Sequence, residues 1–246
     1  YLLPVFIRHY RNMFDECVVI DYASTDKTRE IFQSLAPSNW KIVPSQNEYF
    51  LAQSCDDEVR AIEQSYPDDV WKYSPTVTEL LVFPDMDEFL SNTQENALSM
   101  TSYDAIGPNS IPVQENQQLL PQCALVAHPG HPCLYRYIHR NQNGKQLYQI
   151  GRHFLTTPSK FISTAYHVKL RCAPWPEIIN RKLDYGKRVP GGPAWTTTLI
   201  EQERHGCMMR CVGNFFCPSL SSLTAEIINQ SRLLHAQFNT SWRCIK

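Results

Sequence analysis

The chain has 246 residues, 43% of them hydrophobic, which is enough for one sizeable buried core, and a single domain is the default expectation at this length. Lys and Arg (23) nearly balance Asp and Glu (24), for a net charge of −1. No basic run of the kind that binds nucleic acid or an anionic membrane occurs, so any phosphate recognition must be local. No apolar stretch approaches the ~18 residues of a membrane span, and the start lacks the zones of a signal peptide, so a soluble cytoplasmic domain without an integral membrane segment is expected.

The first element is a helix, because Leu3, Phe6, Ile7, Tyr10 and Phe14 recur at helical spacing, with Pro4 tolerated in its first turn. The chain opens at Tyr1, already inside this pattern and without a methionine, so an upstream segment is expected. Cys17-Val18-Val19-Ile20 is a β-branched run ending in Asp21. A helix capped by Asp26 follows, with Ile31, Phe32 and Leu35 facing inward. Trp40 to Val43 predicts another strand. Leu51, Cys55, Val59, Ile62 and Tyr66 then mark one face of a helix whose other face, with Asp56, Asp57, Glu58 and Glu63, is expected to be solvated.

Leu80-Leu81-Val82-Phe83 is an apolar run that predicts a buried strand, and it leads through Pro84 directly into Asp85-Met86-Asp87-Glu88-Phe89. Two carboxylates about 4 Å apart repel by roughly 4 kcal/mol at an effective dielectric near 20, so keeping both ionised favours a bound dication, which in turn attracts phosphate oxygens. The alternation of strands and helices to this point implies a mostly parallel sheet flanked by helices, with ligands beyond the carboxyl ends of the strands, where Asp21 and Asp85 both sit.

After Phe89 the alternation stops. Residues 92–122 are polar and punctuated by prolines, as in short strands and loops. Aromatic, basic and imidazole groups then accumulate from Tyr135 through Arg140, Arg152-His153 and His167 to Trp175-Pro176-Glu177, and Leu220, Leu223, Ile227, Leu234 and Phe238 predict a last helix. The nine cysteines include no Cys-x-x-Cys pair and are expected to be reduced. His205, Cys207, Cys211 and Cys217 offer soft ligands but lack the usual zinc spacing.

Val19-Ile20-Asp21-Tyr22-Ala23-Ser24-Thr25-Asp26-Lys27-Thr28, followed by Asp85-Met86-Asp87-Glu88-Phe89, resembles the GT-A glycosyltransferases of the family 2 type, the more so with Gly151-Arg152-His153, Pro174-Trp175-Pro176-Glu177 and Arg181-Lys182-Leu183 in the order seen in bacterial and viral members. The resemblance spans Tyr1 to His205 and is strongest up to Phe89; each motif alone is weak, and their joint order carries it. It implies a Rossmann-like α/β domain whose first strand lies upstream of Tyr1, with residues 1–90 as the nucleotide-binding half, 91–218 as the acceptor and catalytic half, and 219–246 as a closing helix. It implies an inverting transfer of a sugar from a nucleotide-sugar donor to a glycan or other hydroxyl acceptor, assisted by Mn²⁺ or Mg²⁺. Asp87 would ligate the metal with Asp85 and His205, and Asp85 and Asp21 would face the nucleotide. Tyr22 stands where the family has a second aspartate that helps read the base.

Direct displacement also needs a base for the acceptor hydroxyl, and Glu177 is the candidate, with Glu203 and Asp184 as rivals. An acid at a helix start would look the same in sequence. Trp175 offers a ring face for a sugar, and Arg152 and His153 suit phosphate oxygens. His167 is a further imidazole of the same kind, although a lone histidine also fits a structural role. Two other classes use an acidic corner at a strand end: a metal-dependent phosphohydrolase or nucleotidyltransferase, and a binding module without turnover. A requirement for a sugar acceptor separates the transferase from the first, and product formation separates it from the second.

Overall fold

The structure is a computed structural model that describes residues 2–48, 51–84, 86–106, 124–127, 136–140, 152, 156 and 158–172. Helix α1 (Leu2–Tyr10) buries Leu2, Leu3, Phe6, Ile7 and Tyr10 along one face, the spacing read from the sequence. It ends at Tyr10, short of Phe14, because the N–H groups of Met13 and Phe14 both turn back onto the Tyr10 carbonyl. Strands β1 (Val18–Asp21) and β2 (Lys41–Pro44) bracket α2 (Thr28–Leu35) and pair in parallel, Val18 opposite Lys41 through to Asp21 opposite Pro44. The expected Asp26 cap is shifted by one residue: Lys27 holds the cap position without a side-chain bond, while the Thr28 N–H donates to Asp26 Oδ1 at 3.0 Å.

Helix α3 (Ala52–Gln64), β3 (Trp71–Tyr73), β4 (Glu79–Val82), α4 (Met86–Asn92), β5 (Ala97–Ile106), β6 (Ala124–Ala127), β7 (Tyr137–Arg140) and β8 (Lys160–Cys172) complete the described chain. These strands form a six-stranded sheet in the order β3-β7-β5-β8-β4, with β6 also paired to β5. The molecule is thus mixed α/β, but the expectation of a mostly parallel sheet is corrected. Among the described ladders only β1–β2 is parallel, while β3–β7, β5–β7 and β5–β6 are antiparallel. The strand-helix alternation that forces parallel crossovers holds only as far as α4; thereafter strand follows strand, and direct returns favour antiparallel pairs.

The chain divides into two compact units, Tyr1–Ser102 with Pro129–His167 and Tyr103–His128 with Val168–Lys246. In the first, β4 is buried at every position and continues into buried Phe83. Covering a Leu, Val or Phe side chain contributes about 1.5–3 kcal/mol each, so this run together with Leu98, Met100, Ile138 and Ile162 is the main source of cohesion there. In the described part of the second unit, Tyr103 to Ile106 pair with Ala127 to Ala124, and Ala105, Val168 and Leu170 are buried. No helix among the described residues is long and apolar enough to cross a membrane.

Helix α1 fixes β4 along its backbone. The Tyr10 hydroxyl donates to the Glu79 carbonyl at 2.9 Å and accepts the Leu81 N–H at 2.8 Å, and His9 Nε2 donates to the Leu81 carbonyl at 2.7 Å. Those three strand groups lie on one side of β4, since residues two apart in a strand point the same way. Polar side chains thus satisfy backbone groups that would otherwise be buried without a partner.

Candidate functional site

The acidic motif follows β4 at its carboxyl end. Burial holds the strand up to Phe83, and the chain then turns into α4, whose first turn carries Asp87 and Glu88. Asp87 is exposed, and its carboxylate makes no hydrogen bond or ion pair with the described residues. It is a hard oxygen donor open to solvent, the type that Mn²⁺ or Mg²⁺ takes. Its proposed co-ligands Asp85 and His205 lie outside the described residues, and no group of three or more potential metal-ligating side chains gathers among the described ones.

Asp21 is the opposite case. It closes β1, is buried, and is fully committed: Oδ1 accepts the Ser24 N–H at 2.9 Å, and Oδ2 accepts Arg29 Nε at 2.7 Å. Burial by itself would push this carboxyl up, but the bonds from Ser24 and Arg29 outweigh it and hold the group below its ordinary value of 3.8. Ala23 adopts a left-handed backbone (φ 53°) to bring Ser24 round to the carboxylate. The first motif therefore acts here as a rigid loop, with Asp21 as its brace.

Next to this loop lies the end of β2. The Ser45 hydroxyl and the Gln46 N–H both donate to the Glu58 carboxylate of α3, the hydroxyl at 3.0 and 2.9 Å from its two oxygens. Tyr22, from the β1 loop, is pushed well up from the ordinary range, first by burial and then by its hydrogen bond with the Cys55 thiol of α3 and by the nearby Glu58. Cys17 and Cys55 are free thiols, as expected for reduced cysteines.

The predicted solvated face of α3 is the clearest local correction. Asp56 and Glu63 are buried at 6% and 7% exposure. Asp56 Oδ1 lies 3.1 Å from Nε of Arg152, whose Nη1 donates to the Ser74 carbonyl at 3.3 Å. Glu63 accepts the Ser74 hydroxyl and lies 3.5 Å from His139 Nε2. Nearby, Arg136 clasps Glu79 with Nε and Nη2 at 2.8 and 2.9 Å and donates Nη1 to the Arg152 carbonyl at 3.1 Å. Sequence periodicity assigns acids to water by default. The partners of these acids, Arg152 for Asp56 and His139 for Glu63, are distant along the chain and carry no local mark of the pairing.

Of the sequence-predicted residues, Asp21, Asp87 and Arg152 are described. Arg152 is drawn to Asp56 beside Tyr22 and Cys55, where it acts on both electrostatically. It also holds a left-handed backbone (φ 57°), a conformation that costs a residue with a Cβ about 1–2 kcal/mol. His167 is buried, with Nδ1 3.2 Å from the Ser102 hydroxyl, the structural alternative weighed for it. Asp85, His153, Trp175, Glu177, Asp184, Glu203 and His205 lie outside the described residues, as do Cys207, Cys211, Cys217 and the predicted helix beyond Ser219.

No family model matches the chain, and neither a curated protein nor a solved structure does.

Proposed function

We propose that the protein is a metal-dependent glycosyltransferase, moving a sugar from a nucleotide-sugar donor to a glycan or other hydroxyl acceptor, with inversion as the sequence resemblance implies. One observation carries this reading: a fully buried strand ends at the Asp-x-Asp turn and leaves Asp87 exposed and uncommitted, beside a chemistry that favours a dication. The contrast with Asp21 supports it, because that buried strand-end acid is tied down by donors on both oxygens.

Asp87, with Asp85 and His205, would hold Mn²⁺ or Mg²⁺, which supplies Lewis-acid stabilisation to a departing diphosphate when bound. Asp21 braces the Tyr22 to Ser24 loop at the end of β1, where a nucleotide would rest, and Tyr22, hydrogen-bonded to Cys55, stands there in place of a carboxylate. Glu177 would take the proton from the acceptor hydroxyl, with Trp175 offering a face to the sugar. Arg152 is committed to Asp56 and Ser74, and phosphate contact would require it to exchange those partners.

The test is a thermal-shift panel of nucleoside diphosphates and nucleotide sugars, each with Mn²⁺ and with EDTA. A ligand at 100 times its dissociation constant stabilises by about 2.7 kcal/mol. A shift with one nucleotide that disappears in EDTA is the expected result, and no shift with any nucleotide rejects the donor site.

A further inference from the structure

We propose that Arg140 and Trp71 form a recognition point for an anionic group, a carboxylate or a phosphate or sulfate ester, carried by the sugar acceptor. The two residues are direct cross-strand partners in the antiparallel β3–β7 ladder, so their side chains leave the sheet on the same face. The Arg140 guanidinium lies 4.3 Å from the centre of the Trp71 ring. The next pair, Lys72 with His139, points to the other face, where His139 meets Glu63 of α3. Glu63 of α3 is therefore on the wrong side of the sheet to reach Arg140.

Arg140 has no carboxylate partner among the described residues. Arg29, Arg60, Arg136 and Arg152 each pair with a carboxylate, whereas among the described residues the guanidinium of Arg140 makes only the ring contact and one long bond, Nη2 to the Leu90 carbonyl at 3.4 Å. A guanidinium cannot shed its charge to lessen the cost of burial, as a lysine or histidine can. Its Nε is nonetheless buried without a hydrogen-bond partner, and so is the indole Nε1 of Trp71. The fold accepts two orphaned donors where the guanidinium sits over the indole. Nη1 makes no hydrogen bond among the described residues, which leaves it as a donor for a ligand. Planar, preoriented guanidinium forks suit bidentate oxyanions, and the ring beneath holds the plane in place.

The location ties this point to the proposed site. Leu90, which Arg140 touches, stands three residues after Asp87 on α4, about 4.5 Å along the helix axis. A ligand group on Arg140 would thus lie beside α4, the helix whose first turn carries Asp87. The assignment of that group to an acceptor rests on the glycosyltransferase reading, whereas the anion preference itself rests only on Arg140 and Trp71.

The two can be separated by calorimetric titration of the full chain, without metal or nucleotide, with glucuronate, glucose 6-phosphate, glucose 6-sulfate and neutral glucose. At least one anionic sugar is expected to bind roughly tenfold or more tighter than glucose, and Arg140→Gln is expected to remove that preference. Which anion wins distinguishes a uronate from a phosphate or sulfate ester. Arg140→Lys keeps the charge but loses the flat fork, and is expected to lose most of the preference; it also serves if Arg140→Gln fails to fold by circular dichroism. Equal binding of charged and neutral sugars by the wild type, or an unchanged preference in both variants, overturns the proposal. Anion preference in a protein that binds no nucleotide would leave Arg140 standing and reject the transferase, and the reverse pattern would reject Arg140 alone.

Discussion

At the residue scale, the two aspartates at strand ends differ in what surrounds them, and the difference predicts opposite behaviour. Asp87→Asn removes a charge that nothing in the described protein neutralises, so the melting temperature without ligand should hardly move, while metal-dependent nucleotide binding by calorimetry should vanish. Retained affinity and metal dependence would show that Asp87 is not the ligand. Asp21→Asn leaves Arg29 without its counter-charge and weakens the bond from Ser24, and a loss of about 1–3 kcal/mol in urea unfolding is expected whether or not ligand is present. The buried Asp56–Arg152 pair tests a third kind of acid. Removing either partner strands a charge and should cost about 3–5 kcal/mol, whereas Asp56→Leu with Arg152→Met should cost much less than the sum of the single changes. The acidic motif was legible because an apolar run beside adjacent carboxylates is a local signal. The commitment of Asp56 and Glu63 was not, because their partners lie far along the chain and a buried ion pair has no sequence period. Arg140 and Trp71 were visible only as part of a basic and aromatic stretch; strand register was needed to join them.

At the scale of elements, the position of the acidic turn depends on how β4 is held. Burial fixes its depth, but apolar contacts are non-directional and would tolerate a small slide. The register is set by directional bonds: the Tyr10 hydroxyl bridging Glu79 and Leu81, His9 on the Leu81 carbonyl, and the two-pronged clasp of Arg136 on Glu79. Tyr10→Phe keeps the ring packing against Phe6 and Phe14 but leaves a buried carbonyl and a buried N–H short of a partner. A destabilisation of about 1–3 kcal/mol by urea titration is expected, and a loss below about 0.5 kcal/mol would mean that water replaces the hydroxyl. This same element shows why the fold was half legible. The sequence marked α1, β1, α2, β2, α3 and β4 to within a few residues, since each has a clean period or a short apolar run with caps. The direction of the later strands was invisible, because β5 was read by its polar composition. Its alternation of Leu98, Met100 and Ser102 inward is the period of a half-buried strand, and at ten residues it is longer than the short strands and loops expected of that stretch.

For the molecule as a whole, the perturbed groups delimit a window of pH in which the fold is most stable. Burial pushes His9 from its ordinary 6.5 to about 4, against the opposing effect of its bond to Leu81, so the unfolded chain binds this proton more readily than the folded one. Stability should be full above pH 6.5, fall as pH drops from 6.5 towards 4, and level off with respect to this group below 4. A shift of that size corresponds to at most about 3 kcal/mol, a large share of the 5–15 kcal/mol of a typical domain. Asp21 acts in the same direction lower down: its carboxyl is held below 3.8, so what it contributes is present above that value and lost as pH falls beneath it. On the alkaline side burial pushes the Cys17 thiol from 9.0 up to about 12, so stability is complete below pH 9 and declines as pH rises through that interval. The expected profile of melting temperature is therefore a plateau between about pH 6.5 and 9, with an acid limb in two stages. His9→Gln can still donate to the Leu81 carbonyl but cannot take up a proton, so it should flatten the first stage and leave the loss below pH 4 in place. If calorimetric scans show the same decline between pH 6.5 and 4 in this variant, the acid sensitivity arises from other groups, and the imidazole is not what couples the α1 to β4 contact to pH.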